Sequence, residues 1–77
     1  MITIGERIRS WRKDLGLTQH HIADMVGISR VHVGMIELGM VKNPSPRTLQ
    51  KIAQALGVTL DQLVENVNFL IDEEVDQ

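Results

Sequence analysis

An all-α domain of five short helices is the fold this sequence predicts, on three observations. Apolar residues recur at three-to-four spacing along the chain, and no stretch alternates with period two over the length of a strand. The unit apolar–glycine–apolar–hydroxyl recurs at Leu15-Gly16-Leu17-Thr18, Val26-Gly27-Ile28-Ser29 and Leu56-Gly57-Val58-Thr59. In each unit the glycine can take the left-handed conformation that ends a helix, and the hydroxyl can cap the next one. Finally, 77 residues with 43% hydrophobic content suffice for one core and no more.

The first helix is expected over Ile4 to Leu15, behind a Thr3-x-x-Glu6 capping box, with Ile4, Ile8, Trp11 and Leu15 as its apolar stripe. The second covers Gln19 to Val26 and buries Ile22, Ala23 and Val26. The third covers Arg30 to Leu38, buries Val33 and Ile36, and is stopped by Gly39. Ser45-Pro46 starts the fourth, since proline suits the first helical position; Leu49, Ile52, Ala53 and Leu56 form its stripe. Thr59-x-x-Gln62 caps the fifth, striped by Leu60, Leu63, Val64 and Val67. The apolar spacing then continues through Leu70 and Ile71, with Phe69 nearby, which predicts a fifth helix reaching about residue 73.

Composition removes several classes of function. The absence of cysteine excludes disulfides, thiolate zinc sites and cysteine nucleophiles. No apolar run approaches the ~20 residues of a membrane span, and the N-terminus lacks a basic-then-apolar signal pattern, so a cytoplasmic chain with no membrane partner is expected. One tryptophan, one phenylalanine and no tyrosine leave no stacking platform for single strands. The net charge of −2 conceals an asymmetry: residues 1–51 hold all eight bases against four acids, and residues 52–77 hold six acids and no base. On charge alone such a division reads first as a solvated surface with a soluble acidic tail, and it also suits a polyanion-facing part joined to an acidic extension.

The second and third helices carry the functional signal. Ala23 and Gly27 lie four apart, the small side chain admitting the next helix and the glycine admitting a sharp turn. Ile22, Val26, Ile28, Val33 and Ile36 supply a shared core behind that turn. These positions fit a helix-turn-helix, whose second helix enters the DNA major groove.

At these residues the sequence resembles the phage repressor and Cro-like helix-turn-helix regulators, the XRE type. The likeness is carried by Gly16-Leu17-Thr18-Gln19, Ile22-Ala23, Val26-Gly27-Ile28-Ser29, Val33, Ile36-Glu37 and Gly39. Downstream, Pro44-Ser45-Pro46, Thr48-Leu49, Lys51-Ile52-Ala53, Ala55-Leu56-Gly57-Val58 and Leu60 extend it, so that it covers residues 4 to about 65. The resemblance implies a lambda-repressor-like fold and a sequence-specific regulator, a repressor of transcription, bound to a palindromic operator as a homodimer. Gln19, Lys42, Asn43 and Arg47 would then hold phosphate, with Ser29, Arg30, Val31, His32 and Met35 at the groove. Arg12 and Glu37 resemble the family's structural ion pair between the first and third helices. The chain departs from the family pattern at Val31, Gly34, Met35 and Leu38, where polar side chains are usual. An apolar stripe there meets thymine methyls but donates nothing to base edges, and it also suits a protein contact.

Other chemistry is not indicated. His20 and Asp24 have ligand spacing, but His21 points about 100° away from His20, so no metal or other cofactor is expected. The stretch from Gly34 to Met40-Val41 is no phosphate-binding loop, and no serine has a base and acid partner, so the chain is not expected to be an enzyme. Residues 1–66 are expected to form the DNA-binding domain. Residues 67–77 would form an acidic extension, with Val64, Val67, Phe69, Leu70 and Ile71 as a dimer contact. The same extension can instead fold back on the chain's own first helix. The alternative function is a protein-interaction module on this fold, an antitoxin or antirepressor with a protein partner.

Overall fold

The computed structural model describes residues 2–41 and 43–67. Five helices follow one another: α1 (Ile4–Asp14), α2 (Gln19–Val26), α3 (Arg30–Glu37), α4 (Pro46–Leu56) and α5 (Leu60–Val64). Every start is capped by the hydroxyl that the sequence supplies. Thr3, Thr18, Ser29, Ser45 and Thr59 each accept a hydrogen bond from a backbone N–H in the following turn. Thr3 and Thr59 complete reciprocal capping boxes with Glu6 and Gln62. Gly27 ends α2 at φ 85°, and its N–H donates to the Ala23 carbonyl, so the chain reverses into α3 within two residues.

The core is aliphatic. Ile8, Ile22, Ile36, Ile52, Leu63 and Val33 are all but fully buried, with Ile4, Ala23, Val26, Leu49, Ala53 and Leu56 around them. These side chains come from all five helices, so no helix pair forms a separable unit.

The α1 and α3 helices approach closely at Gly5. A Cβ on Gly5 would overlap the Ile36 carbonyl oxygen and lie 2.7 Å from that of Glu37. Here the α1 backbone packs directly on the C-terminal carbonyls of α3. Gly5 reads in the sequence as an ordinary first-turn residue, and nothing local marks the contact.

Two expectations about the apolar stripes need correction. Leu15 is 55% exposed, because α1 ends at Asp14 and Leu15 already turns away as the cap. Trp11 keeps its place in the stripe, half-buried against the core beneath the Arg7 guanidinium at 5.2 Å. The fifth helix is also shorter than its apolar spacing predicts. It ends at Val64; Glu65 is extended, Asn66 has φ 58°, and Val67 forms a parallel bridge with Ile2. The physical reason is competition: Val67 pairs with the chain ahead of α1, and Arg7 satisfies α5 carbonyls by donating to Gln62 O at 3.0 Å. Val64 and Val67 accordingly pack on the chain's own core. Phe69, Leu70 and Ile71 lie outside the described residues.

Candidate nucleic-acid interface

The angle between α2 and α3 is set by their buried faces, and those faces decide what is left outside. On α3, Val33, Ile36 and Glu37 turn inward. At 100° per residue the opposite side is centred on Val31, Met35 and Leu38, with Arg30 and His32 flanking it. Exposure agrees: Val31 is 60% and Leu38 76% accessible, while Met35 retains 37%. Met40, beyond the helix, is also exposed. The outward face of α3 is therefore apolar along its centre and polar at its N-terminal margins.

A charged network behind this face joins three helices. Arg12 Nε donates to Glu37 Oε2 at 2.7 Å and Nη2 to Oε1 at 3.1 Å, a bidentate pair buried between α1 and α3. The remaining Arg12 donor, Nη1, bonds the Leu17 carbonyl at 2.8 Å and fixes the chain leading to α2. Gln19 Nε2 donates to Glu37 Oε1 at 3.0 Å. Gly34 lies against that same amide, since a Cβ there would meet Gln19 Nε2 at 3.6 Å. Glu37 thus holds Gln19 at the start of α2, beside the outward face of α3. The sequence motif places Gln19 and Glu37 in the right helices but gives no sign that they bond each other.

Of the other expected contact residues, Ser29, Arg30, Val31, Asn43 and Arg47 are exposed. Ser29 caps α3, its Oγ accepting from the His32 N–H at 3.0 Å, and Arg30 follows it in the first turn. His32 is half-buried. Asn43 and Arg47 are exposed at the loop before α4 and in its first turn, while Lys42 lies outside the described residues. The first turns of α2, α3 and α4 hold no acid, whereas Glu6 and Asp61 occupy those of α1 and α5. The positive ends of those three helix dipoles are therefore not neutralised by their own side chains, the condition under which helix starts attract phosphate.

His20 Nε2 and Asp24 Oδ2 approach at 3.5 Å with both side chains more than two-thirds exposed. No group of three metal-ligating side chains occurs among the described residues. Nor, among these residues, is any helix long and apolar enough to cross a membrane.

A five-helix domain with this turn between α2 and α3 belongs to the class of helix-turn-helix transcription regulators, and the comparisons fix the family. The HTH_3 helix-turn-helix model matches residues 8–63, so the chain belongs to that family, one of regulators and not of enzymes. The immunity repressor of Bacillus phage phi105 is 33% identical over 75 residues, 97% of this chain and 51% of the phage protein. The chain spans about half the length of curated relatives such as this one. Among solved structures, the P22 c2 repressor bound to a synthetic operator superposes with a TM-score of 0.76 at 32% identity, covering 84% of this chain and 97% of that one. SinR, the master regulator for biofilm formation, solved with DNA, has a TM-score of 0.76 at 30% identity, covering 82% of this chain and all of the other.

Proposed function

We propose that the chain is a sequence-specific double-stranded DNA-binding repressor that acts in the cytoplasm as a homodimer on a palindromic operator. The observation that carries this reading is the outward face of α3, braced from behind by the Arg12–Glu37–Gln19 network. Two similar proteins, the P22 c2 repressor and SinR, have been solved with DNA, which supports the same use of this fold.

In this mechanism α3 enters the major groove. Val31 and Met35 meet thymine methyls, and Arg30 at the helix start reaches a base edge, where a bidentate bond to guanine discriminates by about 1–3 kcal/mol. Ser29 and His32 stand beside it at the groove margin. Gln19, aimed by Glu37, and the exposed Asn43 and Arg47 hold phosphate and set the register, joined by Lys42. A second copy would place its own α3 one helical turn away, about 34 Å. The excess of bases over acids in residues 1–51 is only four, so non-specific affinity is modest and pairing of two copies supplies much of the rest.

Selection of binding sites from random duplexes at near-physiological salt tests the reading. Enrichment of a palindrome with half-sites one turn apart is expected. Recovery of no shared sequence overturns it.

A further inference from the structure

The centre line of the outward face of α3 carries no hydrogen-bonding side chain. Val31, Met35 and Leu38 occupy it, all three exposed, at spacings of four and three residues. Gly34 lies next to this line and has no side chain to offer, and the Gln19 amide against it donates to Glu37. Backbone N–H groups past the first turn are spent on the helix itself. Arg30 and His32 are polar, but they stand on opposite flanks of the line.

The surroundings say what this line meets. The three helices α2, α3 and α4 hold two acids between them, Asp24 and Glu37. Glu37 is buried against Arg12, and Asp24 lies 3.5 Å from His20. Arg30, Asn43 and Arg47 are exposed around the line. An apolar strip framed by cations and by unneutralised helix starts is complementary to a polyanion rather than to an acidic or purely apolar protein surface. Its occupant, on the DNA-binding reading above, is the floor of a major groove.

In that floor an apolar side chain has one kind of group to read. The base edges present donors and acceptors, and the exception is the C5-methyl of thymine. 5-Methylcytosine carries the same methyl at the same ring position. It differs from thymine at the neighbouring ring carbon, an amino group in place of a carbonyl, and Val31, Met35 and Leu38 can bond neither. From Val31 to Leu38 the helix rises about 10 Å, which is three base-pair steps of ~3.4 Å.

We propose that the α3 face reads pyrimidine C5-methyl groups without regard to the base that bears them. 5-Methylcytosine then substitutes for thymine beneath Val31 and Met35, and C5-methylation of a cytosine at these pairs raises the affinity of the operator. The inference rests on the DNA-binding reading and adds to it a response to the methylation state of the site.

The test starts from the duplex that selection with the full chain recovers. At each thymine·adenine pair of a half-site, uracil·adenine, cytosine·guanine and 5-methylcytosine·guanine are substituted in turn, and each duplex is titrated at one salt concentration. Within a run of three pairs in each half-site, uracil should bind about fourfold more weakly than thymine, the worth of one buried methyl. At the same pairs 5-methylcytosine should bind about fourfold more tightly than unmodified cytosine. Both factors should fall to one in Val31→Ala or in Met35→Ala, according to which side chain covers the pair. Thymines outside the two runs should tolerate uracil. A recovered operator indifferent to uracil overturns this inference and leaves the DNA-binding reading standing. A loss with uracil but no gain from methylating cytosine overturns it as well, since the base is then read along with the methyl. Factors that persist in both alanine variants belong to the duplex and also overturn it. Recovery of no operator overturns both the inference and the reading beneath it.

Discussion

Replacing Arg12 by methionine should show how much of this small domain depends on one buried pair. The Glu37 side chain is 2% exposed and that of Arg12 9%, and two hydrogen bonds of 2.7 and 3.1 Å join them. Removing the arginine leaves a carboxylate out of water with a single neutral donor, the Gln19 amide. Breaking one side of such a pair costs about 3–5 kcal/mol. A domain of 77 residues has a total stability of about 4–12 kcal/mol at ~0.05–0.15 kcal/mol per residue. Arg12→Met should therefore remove at least a quarter of it and lower the melting temperature by about 12 °C or more, at ~4 °C per kcal/mol.

The double variant Arg12→Met/Glu37→Leu removes both charges, and exchanges of this kind are close to neutral or stabilising. It should melt near the parent. It should nonetheless bind operator DNA more weakly, because Gln19 has lost the acceptor that aims it. Thermal melts and urea titrations followed by circular dichroism measure the first effect, and operator titrations the second. If the double variant is as unstable as the single one, the cost lies in packing or in the Leu17 bond, and the argument from a stranded charge fails.

Gly5→Ala should destabilise by about 1–3 kcal/mol or more, because the added carbon meets carbonyl oxygens of α3 that no rotamer can move; a melt within a degree of the parent would contradict the close approach. Gly34→Ala should do the opposite. Its Cβ finds only the Gln19 amide at ordinary contact distance, so the helix gains about 1 kcal/mol in unfolding experiments. Arg30→Ala should relax preference at one base pair, whereas Arg47→Ala should weaken all duplexes alike and lessen the salt dependence by about one phosphate's worth. Equal losses on operator and random DNA for both variants would refute that division.

The caps, the turns and most of the core were legible because they rest on local chemistry. A hydroxyl before a helix and a glycine after it act through neighbours in sequence, and all five helix starts fall where these residues stand. Ile22, Val33, Ile36 and Ile52 could be assigned to the core from period alone. What escaped depends on contacts between distant segments. Gly5 matters through α3, and Gln19 through Glu37, eighteen residues away. Val67 continues the apolar spacing of α5 faithfully, but pairing with Ile2 takes it out of the helix, which no window around residue 67 could reveal.

The direct seating of the α1 backbone on the last carbonyls of α3 has a kinetic and mechanical corollary. With no side chain between them, α3 has no slack in which to slide or rotate about its axis. Under the proposed function the reading helix is thus in its final pose before DNA arrives, and association proceeds as rigid-body docking without a conformational gate. Any mismatch of shape has to be absorbed by the duplex. Steps that bend or twist easily between the two half-sites then favour binding at base pairs the protein never touches, and stiff steps there oppose it.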